Sequence, residues 1–268
     1  MTTLGMDEKF CFPTSTMTPP QTTDPAARLI TILEAAVQTR AHTSYLQFWA
    51  NAFGLDAKDV PAIYHNLALL QQLVDDVETG IKKAPHITRP EQYLEPLTQL
   101  RGIIAQPNLQ APWQRQRELV SMLINSLRFA SERLQEYSPE PDLPPSELEA
   151  IHKQVADLIQ RLHSSEKIPK ALKLILFDLL NSVQRSIDEY RFRGIRGVRE
   201  QLFLIASQIQ QHSPEFEKAK DAPEVSDFFA LLKKIDTLTA AALHVKELIC
   251  VVAPLLPAIS TVVQHLLQ

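Results

Sequence analysis

The 268-residue sequence contains little glycine and little cysteine. It has only 6 glycines, and no Asn-Gly or Asp-Gly pair occurs that would predict a tight β-hairpin turn. The 2 cysteines, Cys11 and Cys250, lie near opposite ends of the chain, which excludes a disulfide framework and a zinc site made of thiolates. Apolar and polar residues alternate nowhere over the length of a strand, so we predict no β-sheet.

The sequence also lacks an excess of basic residues and a recognisable secretory signal. Its formal net charge is -4, whereas a protein that coats nucleic acid needs a basic balance or a basic face. The first residues have neither the basic nor the apolar region of a signal peptide. Together with the sparse cysteine, these features predict a cytoplasmic protein. The first residues are rich in Thr and Pro, which predicts a disordered tail at residues 1–24.

The common catalytic and cofactor motifs are missing as well. No G-x-S-x-G elbow, phosphate-binding P-loop or dinucleotide-binding glycine run occurs, and no Arg precedes a His by the four to six residues typical of all-helical ribonucleases. One Glu-x-x-His occurs, Glu149 to His152, but di-iron bundles need two copies. We therefore predict no catalytic, metal-binding or cofactor-binding residue and favour a non-enzymatic protein. An active site assembled from distant residues stays open.

Helical periodicity and helix-boundary residues predict an all-α multi-helix bundle of eight to ten helices. Asp24 and Pro25 start the first helix, a later helix ends at Gly80, and Ser146 caps another helix. After Pro169 the apolar residues fall on nearly every side, which predicts a central buried helix.

A Pro-rich stretch, SPEPDLPPS at Ser138 to Ser146, predicts the domain organisation. Its four prolines in nine residues cannot continue a helix and favour an extended spacer. We predict an N-terminal helical lobe at residues 25–137, a linker at 138–146 and a C-terminal helical lobe at 147–268, with a single bundle as the alternative.

The carboxyl-terminal residues are apolar and uncharged. No Asp, Glu, Lys or Arg occurs from Leu248 to Gln268, but Pro254 and Pro257 interrupt the stretch, and its last part is amphipathic. We interpret it as a hairpin packed in the core. The alternative is a membrane-active effector that inserts helices from residues 231–268.

The most unusual stretch is IDEYRFRGIRGVREQL, Ile187 to Leu202. Its Gly-x-x-Gly resembles the loop with which KH domains clamp a nucleic-acid backbone, although no strands flank it. Glu189 and Arg193, like Arg196 and Glu200, have the spacing of helical ion pairs, and two glycines permit a bend. The candidate interaction residues are Tyr190, Arg191, Arg193, Gly194, Arg196, Gly197 and Arg199.

The segment that contains this stretch and the segment that contains the linker have opposite net charges. Residues 167–199 contain eight basic and three acidic residues, whereas residues 132–149 contain one basic and six acidic residues. The two segments are therefore expected to attract each other across the fold.

Four segments together resemble an uncharacterised family of bacterial all-helical proteins. They are NLQAPWQRQRELV, LRFASERL, ELEAIHKQVADLI and RSIDEYRFRGIRGVREQL, and the last is similar to the family's I-x-x-Y-R-x-R-G-x-x-x-L-R-E segment. The resemblance covers about residues 60–255. It implies an accessory protein of a bacterial defence or mobile locus, without a known activity.

We predict a protein-interaction module with an unknown protein partner and no cofactor. Nucleic-acid binding through residues 190–199 and membrane action through residues 231–268 are the alternatives, and neither nucleic acid nor a membrane is the partner we favour.

Overall fold

The computed structural model describes residues 22–40, 42–106 and 108–240. Within them the chain forms ten α-helices and one pair of short strands, which confirms the predicted all-α multi-helix bundle. The helices are α1 (Pro25–Val37), α2 (Tyr45–Phe53), α3 (Val60–Lys83), α4 (Glu91–Ile104), α5 (Gln114–Tyr137), α6 (Pro145–Ser164), α7 (Lys170–Asp188), α8 (Tyr190–Gln211), α9 (Ser213–Lys218) and α10 (Pro223–Ala240).

The expectation of no β-structure is wrong for four residues. Strand β1 (Thr22–Thr23) pairs antiparallel with β2 (Glu140–Pro141). Two residues are too few to show the alternation that predicts a strand from sequence. The pairing joins the start of the helical region to the Pro-rich stretch.

The predicted helix starts and stops are partly confirmed. Pro25 begins α1, and the Asp24 carboxylate caps it by accepting from the backbone nitrogens of Ala26 and Ala27 at 2.8 and 3.0 Å. The predicted end at Gly80 is wrong, because α3 continues to Lys83. A Cβ at Gly80 would lie 3.0 Å from the Leu134 side chain, so this glycine permits close packing of α3 on α5.

Two further expectations about the second half of the chain are wrong. Ser146 does not cap α6, since the helix already begins at Pro145, and proline suits a first helical position. Helix α7 is not buried on every side, because Leu174 is 58% exposed and the buried residues of α7 follow one face.

The buried apolar side chains form two clusters. The first core contains residues of α1 to α5 together with Phe192 of α8. The second core contains Leu143 and residues of α6 to α10. Between Leu134 of α5 and Leu143 the chain passes from one core to the other, and residues 138–143 of this segment belong to the predicted linker. Whether the cores are separate lobes stays a prediction.

Several expectations fall outside or at the edge of the described residues. Residues 1–21 of the predicted tail lie outside them, whereas Thr22 to Asp24 form β1 and the cap of α1. The apolar stretch after residue 240, and with it most of the proposed membrane segment 231–268, also lies outside. In the part of the chain that the structure describes, no helix is both long and apolar enough to cross a membrane.

Candidate protein-interaction site

The glycine and arginine stretch lies where α7 passes into α8. Helix α7 ends at Asp188, and α8 begins at Tyr190. Within α8, Gly194 has a φ of 59° and a ψ of -159° and interrupts the helical backbone. The predicted bend is therefore confirmed and is located at Gly194, because only glycine adopts this conformation without steric cost.

Gly194 also makes room for an ion pair. The Arg28 guanidinium of α1 binds the Glu140 carboxylate of β2, and their side chains are only 7% and 20% exposed. A Cβ at Gly194 would lie 2.5 Å from Arg28 Nη1 and 2.9 Å from Glu140 Oε2. The missing side chain thus lets α1, β2 and α8 meet at one point.

Gly197 has a different role and keeps helical geometry. The Arg193 side chain passes over it, so that an added Cβ would lie 2.4 Å from Arg193 Cβ and 3.3 Å from Arg193 Cδ and Nε. In this position the Arg193 guanidinium donates to Glu200 at 2.7 Å and to Glu189 at 3.4 Å. Gly197 therefore gives Arg193 the space to reach both carboxylates.

Tyr190 fixes the start of α8 to the Pro-rich stretch. Its hydroxyl accepts from the backbone nitrogen of Leu143 at 2.7 Å and donates to Asp142 at 3.0 Å. Burial raises the pKa of Tyr190 well above its ordinary value. Tyr190 therefore joins the basic segment to the acidic one through a neutral hydroxyl, and the expected attraction between their charges stays a prediction.

Arg191 is exposed, but its guanidinium makes contacts with other residues of the protein. Its guanidinium donates to the carbonyl of Phe53 at 2.9 Å. It also lies 4.9 Å from the ring centroid of Phe192 and 5.6 Å from that of Phe53. Burial lowers the pKa of Arg191, so this cation is partly withdrawn from water and held on aromatic faces.

Arg196 connects α8 to α3. Its guanidinium donates to Asp76 at 2.6 Å and lies 3.5 Å from Glu200. The hydrogen bond to Asp76 raises the pKa of Arg196. Arg193 thus pairs with Glu189 and Glu200, and Arg196 pairs with Asp76.

Arg199 differs from the other three arginines. Within the described ranges its guanidinium makes no hydrogen bond, but its charge acts on Asp236 of α10. Burial raises the pKa of Asp236, and the positive charge of Arg199 opposes that rise. Arg199 is therefore close enough to α10 for its charge to act on Asp236.

An open groove of about 230 Å³ runs between α3 and α8. We call it the α3–α8 groove. Its apolar lining comes from Leu69, Leu73 and Phe192, and its polar lining comes from Gln72, Asp75, Asp76, Arg193 and Arg196. Further along α8, Phe203 and Leu204 are exposed. Leu73 and Phe192 are each 1% exposed, so they close the floor of the groove, and its accessible rim consists of paired charges of both signs.

The sequence-predicted residues divide into three groups. Arg193 and Arg196 line the groove, Tyr190, Arg191, Gly194 and Gly197 hold α8 in place, and Arg199 lies apart. The contributions of α3 were missed, because Gln72 and Asp76 lie more than a hundred residues before α8 and have no local signal.

The Glu-x-x-His pair has a structural explanation. His152 Nε2 lies 2.8 Å from Asp188 Oδ1 of α7, and Glu149 is exposed. Among the residues that the structure describes, no cluster of three His, Cys, Asp or Glu side chains is arranged to hold a metal ion.

Comparison with known proteins identifies no relative of this chain. No protein-family model matches the chain, no curated protein matches it, and no solved structure matches it. The resemblance to a bacterial helical family stays a prediction. The α3–α8 groove and the residues around it are therefore the features that indicate a function for this chain.

Proposed function

We propose that the protein is a non-enzymatic interaction module that binds a protein partner at the α3–α8 groove. The pairing of Arg193 and Arg196 with nearby carboxylates carries this proposal. Arginine is enriched in protein interfaces, and the exposed Phe203 and Leu204 add apolar surface further along α8 to the charged rim of the groove. The resemblance described above is the ground for assigning the module to a cytoplasmic accessory of a bacterial defence or mobile locus.

The same pairing argues against a nucleic-acid backbone as the ligand. A phosphate would have to displace Glu189, Glu200 or Asp76 from the two arginines and would meet the repulsion of those carboxylates. Of the two other cations of the motif, Arg191 already donates to the Phe53 carbonyl, and the charge of Arg199 acts on Asp236 of α10. Tyr190 is buried, so it offers no free ring face on which a base could stack.

Phe203 and Leu204 extend the proposed surface along α8. Both side chains are more than half exposed. Phe203 follows Arg196 by seven residues, or about two helical turns, so the two project from the same side of the helix. Aromatic and arginine side chains often dominate the binding energy of an interface, which makes this stripe the expected contact beyond the groove.

The proposal is tested by site-specific photocrosslinking in the native cell. A photoreactive phenylalanine analogue at Gln72, on the groove, is expected to capture one protein species, whereas the analogue at Lys153 of α6 is not. Arg196→Glu is expected to lower the crosslinking yield roughly tenfold or more, because it removes the pair with Asp76 and reverses a charge of the rim.

Arg161→Glu is the matched control for the charge reversal. Arg161 donates to Asp227 at 2.5 Å and has similar exposure to Arg196, 49% against 56%. Its replacement is expected to leave the crosslink intact. Equal loss with both variants would contradict a partner at the groove. Binding of a single-stranded oligonucleotide with a steep salt dependence, abolished by Arg196→Glu alone, would replace the proposal with nucleic-acid binding.

A further inference from the structure

Helix α5 exposes two large apolar side chains on its outer face. Met122 is 60% exposed and Phe129 is 62% exposed, more than any other large apolar residue in the described ranges. They are seven residues apart, so they lie about two turns apart on one side of the helix. The opposite side of α5 packs in the first core beside α1 and α4. We call the exposed side the outer face of α5.

The polar residues of this face have a definite order. Glu118 lies one turn before Met122, and Arg133 lies one turn after Phe129. Both are exposed, and the Arg133 guanidinium donates to Glu136 of its own helix at 3.1 Å. Glu118 forms no ion pair with any described residue. The face therefore has the Glu118 carboxylate at one end, an apolar middle and, at the other end, Arg133 paired with Glu136.

The outer face of α5 is complementary to the same face of a second copy in the opposite direction. Consider a two-fold axis perpendicular to α5 that passes between Asn125 and Ser126. Glu118 and Met122 precede that midpoint by the same spacings at which Arg133 and Phe129 follow it. In an antiparallel pair of α5 helices, Met122 therefore faces Phe129 of the second copy, and Glu118 faces Arg133. Each contact occurs twice, as an isologous interface requires.

We propose that the outer face of α5 is the interface of an antiparallel homodimer of this chain. The apolar centre supplies the attraction by removing four large side chains from water. The charged ends fix the register and the direction, since exposed pairs add little affinity but disfavour like-charge alignments. Only two large apolar residues per copy take part, so we expect a weak dimer with a dissociation constant on the order of 10 μM.

The inference is tested first by the concentration dependence of the sedimentation coefficient of the full-length chain. Between about 1 and 300 μM, on either side of the expected dissociation constant, the weight-average value is expected to rise from that of a monomer toward that of a dimer. Phe129→Glu is expected to raise the dissociation constant at least roughly tenfold, because it places a charge in the apolar centre. Leu174→Glu is the matched control, since Leu174 is 58% exposed but lies on α7.

Charge reversal then tests the register. Glu118→Arg alone places like charges opposite each other at both ends of the pair, and so does Arg133→Glu alone, so each variant is expected to weaken association. The double variant Glu118→Arg/Arg133→Glu is expected to recover it. A parallel pair would behave differently, because equal positions then face each other and carry like charges in the wild type and in every variant. Neither single variant would then weaken association relative to the wild type, and this result would contradict the antiparallel register.

Mixing the two single variants supplies a third readout. In the antiparallel register the mixture regains both opposite-charge contacts, so the heterodimer is expected to form more tightly than the homodimer of either single variant. A wild-type chain that stays monomeric at every concentration would overturn the proposal and assign this face to a different partner. A dimer that Phe129→Glu leaves unchanged would overturn it equally. Circular dichroism of each variant, expected to match the wild type, separates lost association from lost folding.

Discussion

Glycine is required at position 194 for two separate reasons, its backbone conformation and the lack of space for a side chain. The sequence alone does not tell these two reasons apart. The backbone of Gly194 has a positive φ, and its Cα lies against the Arg28 and Glu140 side chains. Only the second reason applies to Gly197, three residues later, because the Arg193 side chain lies over it. Two glycines of one motif thus act by different physical means.

Gly194→Ala is expected to lower the free energy of unfolding by about 3 kcal/mol. The added methyl group both strains the backbone and displaces the Arg28 guanidinium from a buried site. Urea denaturation followed by circular dichroism measures the loss.

Gly102→Ala is the matched control. Gly102 lies in α4, and an added Cβ would have no neighbour within 4 Å. Its replacement is expected to be neutral or to stabilise the protein by up to about 1 kcal/mol, the difference in helix propensity. Similar effects of the two variants would show that the space at Gly194 is not needed.

At the scale of elements, the two aspartates that cap α1 and α3 differ in their surroundings. Asp24 is fully buried and, besides capping α1, accepts from the Ser131 hydroxyl of α5 at 2.6 Å. Asp59 accepts one exposed bond, from the backbone nitrogen of Ala62 at 3.2 Å. The first cap therefore also holds two helices together.

Asp24→Ala is expected to lower the free energy of unfolding by about 3 kcal/mol, and Asp59→Ala by about 1 kcal/mol. The larger loss arises because removing the Asp24 carboxylate would leave the buried Ser131 hydroxyl and two backbone N–H groups without an acceptor. Thermal and urea unfolding of the two variants give the comparison. Equal losses would mean that the contact to Ser131 adds nothing beyond the cap.

The capping residues also show which helix boundaries a sequence can predict. Asp24 with Pro25 specifies a start through local chemistry alone, and the structure has that start. Gly80 and Ser146 carry equally good local signals that the structure does not use. In α3, Gly80 instead packs against Leu134, more than fifty residues away.

In the candidate site, too, the contacts between residues close in sequence were predictable and the contacts between distant residues were not. The pairs of Arg193 with Glu189 and of Arg196 with Glu200 were predicted from helical spacing, and the structure contains both. The bonds of Arg196 to Asp76 and of Arg191 to Phe53 were not predicted, because they join residues whose proximity depends on how α8 packs on α2 and α3.

At the scale of the whole molecule, Phe192 joins two parts that the chain order keeps separate. It belongs to α8, yet it is 1% exposed within the first core, and its ring lies edge-on to Phe53 at 5.8 Å. Every other described residue of α6 to α10 that is buried and apolar belongs to the second core. One side chain of the second half therefore completes the core of the first.

Phe192→Ala is expected to destabilise the protein by about 3–5 kcal/mol and to speed amide exchange mainly in α2 and α3. Phe216→Ala, in the second core and stacked near Phe228, is expected to cost a similar amount but to act mainly on α9 and α10. Hydrogen exchange read by mass spectrometry separates the two patterns. Uniform acceleration in both variants would show that the cores open as one unit.

The place of Phe192 has a consequence for protein synthesis. A ribosome releases α1 to α5 first, and it then makes α6 and α7 before Phe192 exists. At about 5–20 residues per second this takes several seconds, which is long compared with the formation of a helix. During that interval the nascent first core lacks the ring that packs on Phe53. The speed of translation through α6 and α7, rather than the folding rate of α1 to α5, then sets how long that apolar surface is open to chaperones.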